Sequence, residues 1–94
     1  MMNEKWQVYD PQWLIDLAKE QIPDKPEIIL ALSKCIKANV ESRTFIYFVN
    51  GDLPNQPNAE WQFDQCIQLE DKEKGTIILD VLKGNRIGGI EFLP

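Results

Sequence analysis

Residues 76–94 read TIILDVLKGNRIGGIEFLP, and this stretch decides the fold class. Two apolar runs are joined by Gly84-Asn85, the signature of a tight β-hairpin. A two-residue turn there pairs Lys83 with Arg86, Leu79 with Ile90 and Ile77 with Phe92. Side chains alternate across a strand, so Ile77, Leu79, Ile90 and Phe92 share one face. Upstream, Asp71-Lys72-Glu73-Lys74-Gly75 is turn-forming. A turn of those residues pairs Leu69 with Ile77 and Ile67 with Leu79. The same face then extends along an alternating run at 60–69 to Trp61 and Phe63. An aromatic, β-branched run at 43–49 supplies a fourth strand. Residues 50–59, rich in Gly, Pro and Asn, form the loop between them.

The first part of the chain has a different period. Asp10-Pro11 opens a helix, since Asp caps well and Pro suits the first helical position. Trp13, Leu14, Leu17, Ala18 and Ile22 follow at helical spacing, and Pro23 stops the helix. Asp24-Lys25-Pro26-Glu27 repeats the device. Ile28, Ile29, Leu32, Cys35, Ile36 and Val40 then form a wide apolar stripe. The sequence therefore predicts one α+β domain over 1–94. A helical hairpin over 10–40 packs on one face of a four-stranded, mainly antiparallel sheet over 43–93, in the order ααββββ. The predicted core holds Leu14, Leu17, Ile29, Leu32, Ile36, Phe63, Ile67, Ile77, Leu79, Ile90 and Phe92.

The opposite sheet face mixes Ile78, Leu82 and Ile87 with Asp64, Gln62, Asp80 and Glu91. It is either a partner surface, a partly exposed face, or a face covered by residues 6–9. Gly88-Gly89, inside a strand, marks a bulge or the close approach of another backbone.

The net charge is −5. Residues 1–50 hold seven acids, Glu4 and Glu41 among them, against six bases; residues 51–94 hold eight acids against four bases. That excess repels nucleic-acid phosphate and attracts a basic protein. The acids of the second half are Asp52, Glu60, Asp64, Glu70, Asp71, Glu73, Asp80 and Glu91, and they are the candidate partner-binding residues. The residues at 1–6 have no following apolar stretch of the signal-peptide kind, and no apolar run reaches the ~20 residues of a membrane span. A cytoplasmic protein with reduced thiols is expected.

The chain contains no histidine, which removes Ser-His and Cys-His nucleophilic chemistry and histidine-based zinc sites. Cys35 lies on an apolar helical stripe and reads as core. Cys66 lies on the polar side of its strand, with nothing near it in sequence to lower its pKa. Asp80 and Glu91 are the one pair of carboxylates placed for acid–base work. Gly88-Gly89 is not a phosphate loop, and Asn50-Gly51-Asp52 lacks calcium-loop spacing. No catalytic residue, metal or cofactor is expected.

The closing pattern of Asp80, Gly84, Ile87, Gly89, Ile90 and Glu91 resembles the end of several small bacterial families of unknown activity. As a whole, the small acidic chain without catalytic residues resembles the immunity proteins of bacterial polymorphic-toxin and contact-dependent inhibition systems. That resemblance implies a cytosolic protein that neutralises a cognate toxin by binding it. The alternatives are a non-catalytic adaptor, a domain that self-associates through a sheet edge, and an enzyme or small-ligand binder.

Overall fold

The computed structural model describes residues 6–40 and 42–94. The acids Glu4 and Glu41 counted above lie outside the described residues. The elements run β1 (Trp6–Val8), α1 (Gln12–Gln21), α2 (Pro26–Leu32), β2 (Lys37–Val40), β3 (Phe45–Tyr47), β4 (Phe63–Asp71), β5 (Gly75–Leu82) and β6 (Arg86–Phe92). The strands form one antiparallel sheet in the order β1-β2-β3-β6-β5-β4. Both helices cover one face of it. The fold is α+β as expected, but the sheet has six strands among the described residues and not four.

The two additional strands have a clear origin. The apolar stripe through Cys35, Ile36 and Val40 mimics helical spacing, but α2 ends at Leu32. Lys34 and Cys35 donate to the carbonyls of Ala31 and Leu32 at 3.1 and 3.0 Å, tight bonds that close the last turn. Tyr9 N then donates to Ile36 O at 2.9 Å and draws the chain into pairing. β2 binds β1 on one side and β3 on the other. A short helix gains little from propensity, and two flanking strands outweigh it. Ile36 is 60% exposed and not core. The helix openings differ from expectation. Asp10 Oδ1 accepts from Gln12 N at 3.0 Å just before α1, but Pro11 and not Asp10 is the residue at the N-cap, and neither α1 nor α2 has a side-chain cap.

The register of the hairpins is the expected one at their centres. Leu69 pairs with Ile77 and Ile67 with Leu79. Leu79 also pairs with Ile90, and Ile77 with Phe92. Leu14, Leu17, Ala18, Ile28, Ala31 and Leu32 of the helices meet these residues in one core. Gly84 and Asn85 turn the hairpin with φ of 83° and 58°, but Leu82 and not Lys83 pairs with Arg86, so the turn spans Lys83–Asn85 and not the two residues expected.

Two register shifts then alter which face the flanking residues occupy. One falls between Phe63 and Gln65 of β4, the other opposite Asp80 and Val81 in β6, at Gly88. An extra residue in one strand reverses the facing beyond it. Ile87, expected on the outer face, therefore pairs with Val81 and joins the core. Phe63, expected in the core, pairs with Leu82 and is 38% exposed on the outer face. The expectation that the paired glycines mark a bulge and a close approach holds for both residues. Gly88 is the bulge, and a Cβ on Gly89 would lie 2.5 Å from Ile46 O of β3. Gly89→Ala should therefore destabilise the fold by about 1–3 kcal/mol, the usual range for overpacking. A urea melt at unchanged midpoint would show that β3 and β6 are not held this close.

Candidate functional site

The outer face of the sheet carries rows of side chains fixed by strand pairing. One row runs Tyr47, Gly89, Asp80, Cys66 across β3, β6, β5 and β4. The next runs Phe45, Glu91, Ile78, Gln68. Gly89 has no side chain, so the first row has a gap between Tyr47 and Asp80. That gap is the floor of a cavity of roughly 400 Å³ lined by Phe45, Tyr47, Gly51, Pro54, Asn55, Trp61, Phe63, Asp80 and Glu91.

The loop after β3 builds the far wall. Phe48 N donates to Gly88 O at 2.8 Å, which ties the loop's start to the bulge. Asn55 N donates to Trp61 O at 2.7 Å, and Asn55 Oδ1 accepts from Phe63 N at 2.9 Å. Gln62 Nε2 donates to the carbonyls of Gln56 and Ala59. These bonds satisfy the backbone of a segment with no regular structure. Positive φ at Leu53, Asn55 and Asn58 lets the loop fold back. The result is a group of packed rings. Phe45 and Tyr47 have centroids 4.4 Å apart, Tyr47 and Trp61 5.7 Å in an edge-to-face arrangement, and Phe45 and Trp61 6.5 Å.

The floor is acidic. Asp80 is only 5% exposed. Its Oδ1 accepts a weak bond from Cys66 Sγ at 3.7 Å, and its Oδ2 has no partner. Burial pushes the Asp80 carboxyl up to about 7, and the adjacent Glu91 carboxyl adds to the effect. Burial raises the Cys66 thiol as well, with Asp80 next in importance, so Cys66 is held as a thiol and not as a nucleophile. Cys35 is core, as expected, and burial lifts it to about 12.

A second hollow of roughly 440 Å³ adjoins the first and shares Tyr47 and Gly51. Trp6, Asn39, Val49, Asn50 and Asp52 complete its lining. Asn39 is 9% exposed, and its Oδ1 also lacks a partner. Residues 6–9 thus do not cover the outer face. Trp6 lies at its edge, on the strand next to Asn39.

No protein-family model, curated protein or solved structure matches this chain.

The eight predicted acids divide into two groups. Asp80 and Glu91 line the first hollow and Asp52 the second. Asp64 is exposed at the β4 shift beside Phe63. Glu60 pairs with Arg86 at 3.7 Å across an open surface. The remaining three sit at the turn end of the β4–β5 hairpin, beginning with Glu70 four residues along from the Asp80 row, about 13 Å at ~3.3 Å per residue. Glu70 is held there by Thr76 Oγ1 at 2.9 Å, and its amide donates to Gln21 Oε1 at 2.8 Å. Asp71 Oδ2 accepts from Glu73 N and Lys74 N, and those bonds lower its pKa. Its role is to shape the turn. Asn39, Phe45, Tyr47, Trp61 and Phe63 were not among the predicted site residues. The sequence signals that pointed to this place were the Asp80 and Glu91 carboxylates on one face and the Gly88-Gly89 pair.

Among the described residues, no three His, Cys, Asp or Glu side chains group as a metal centre requires. No described helix is long and apolar enough to cross a membrane.

Proposed function

We propose that this chain is a non-catalytic binding protein that engages a basic protein through the outer face of its sheet and blocks it, as a bacterial immunity protein blocks its toxin. The observation that carries the reading is the cavity over Gly89, where aromatic rings surround a buried carboxylate oxygen with no partner. Aromatic anchors in a concave patch supply binding energy, and flanking acids supply speed and selectivity. The excess of acid over base in residues 51–94 supports the same partner class. Leu53, 73% exposed at the loop crest beside Pro54, adds apolar surface next to the cavity.

The test starts from co-purification with the product of the adjacent upstream gene. Asp52→Lys with Asp64→Lys changes net charge as much as Glu70→Lys with Glu73→Lys. The first pair should slow association about tenfold at low salt, and the second pair far less. Equal effects would show that the outer face is not where the partner docks. Absence of any such partner, with a stable homodimer instead, would favour the self-associating domain. A turnover rate abolished by Asp80→Asn would make the site catalytic and end the binding reading.

A further inference from the structure

We infer that the cavity over Gly89 is a receptor for a single guanidinium group, an arginine side chain presented by the partner. The inference deepens the binding reading above and rests on it for the source of the arginine. Three observations point to this chemistry. First, the polar atoms offered by the floor are acceptors. Asp80 Oδ2 is buried without a donor, and Glu91 stands next to it. The Asp80 carboxyl shares a proton with Glu91, and the oxygens that the pair leaves unpaired are acceptors that a donor from a ligand would satisfy. Second, among the described residues no lysine or arginine lines the cavity. Third, the walls are ring faces and edges from Phe45, Tyr47 and Trp61. A planar, weakly hydrated guanidinium stacks on rings while its donor fork meets carboxylate oxygens. A lysine ammonium makes a point contact and keeps its water more strongly.

Binding a cation favours the ionised form of Asp80. The groups that face Asp80 are Glu91 from β6, Cys66 from β4 and Tyr47 from β3; the lining loop residues add no titratable group. The Cys66 thiol is pushed up by burial and by Asp80, so among the described residues the arginine supplies the positive charge in the pocket. Affinity should therefore rise with pH up to about 7, the Asp80 value, and level off above it.

The probe is Nα-acetyl-arginine amide, titrated into the intact chain while the Trp61 indole resonance is followed by NMR. Saturable binding is expected, with the pH dependence just given. Nα-acetyl-lysine amide should bind more weakly and Nα-acetyl-glutamine amide not at all. Asp80→Asn, close in shape to the native side chain, should weaken arginine binding at least about tenfold, and Glu73→Gln should not change it. A response to the glutamine probe equal to that for arginine, or arginine binding indifferent to Asp80→Asn, would overturn the proposal. The two readings fail separately. If the arginine probe binds and no basic protein does, the pocket stands and the partner falls. If the partner binds with unchanged affinity to the Asp80→Asn protein and the arginine probe does not bind, the pocket falls and the partner stands.

Discussion

Asp80→Asn is expected to stabilise the folded protein at about pH 8 by roughly 1–4 kcal/mol and to change it little at about pH 4. The sign follows from proton counting. In the unfolded chain Asp80 titrates near 3.8, and in the fold burial and the Glu91 carboxyl push it up to about 7. Between those values the folded state keeps a proton that the unfolded chain has released. Stability therefore falls as pH rises through this window, and it levels off above 7. Below the unfolded value both states are protonated, and Asp80 contributes nothing. Asparagine does not titrate, so the replacement removes the loss, and its Oδ1 still accepts from Cys66. Urea melts of both proteins at the two pH values measure the difference. A variant less stable than the native protein at about pH 8 would mean that the carboxylate is well solvated or paired in the fold. A residue that destabilises its own protein at neutral pH fits a functional site and not a structural one.

Leu79→Ala should destabilise by about 2–5 kcal/mol, the range for truncating a buried leucine. Leu79 is fully buried in β5, opposite Ile67 on one neighbouring strand and Ile90 on the other. Its side chain lies in the core between the sheet and the helices, where surroundings relax only partly into a void. A shift under about half a kilocalorie in a denaturant melt would place Leu79 at the surface and refute the register of both hairpins.

That register was legible because it is local. Gly84-Asn85 and the acidic turn before Gly75 set two hairpins whose central apolar positions pair as expected, while the shifts at Phe63/Gln65 and at Gly88 displace the outer ones. The class of the fold follows from the change of period near residue 40. β1 and β2 were not legible. Trp6–Val8 and Lys37–Val40 are too short to show alternation, and both depend on a pairing across some thirty residues of chain. Ile36 and Val40 also fit a helical stripe, which hid the end of α2. The site was half legible. Asp80 and Glu91 stood out as carboxylates on one face, and Gly88-Gly89 as a distortion. Phe63 and Trp61 were placed inward because an ungapped alternation runs straight through Asp64. The shift at that residue has no signature of its own in the sequence, so two of the rings came out on the wrong side. Asn39 was read as helical and so could not be seen as a neighbour of Tyr47.

The alternation along β5 has an evolutionary consequence. Ile77, Leu79 and Val81 turn inward, while Ile78, Asp80 and Leu82 turn outward. Every second codon of this segment answers to folding, and the codons between answer to whatever the outer face meets. Point substitutions can therefore retune recognition without touching the interior. Loss of a single residue cannot, because it exchanges the two sets and drives Asp80 inward. The loop over the site, anchored at both ends, tolerates changes of length that the strand beneath it does not. Diversification of this protein is thus expected to proceed by substitution in the strand and by insertion or deletion in the loop.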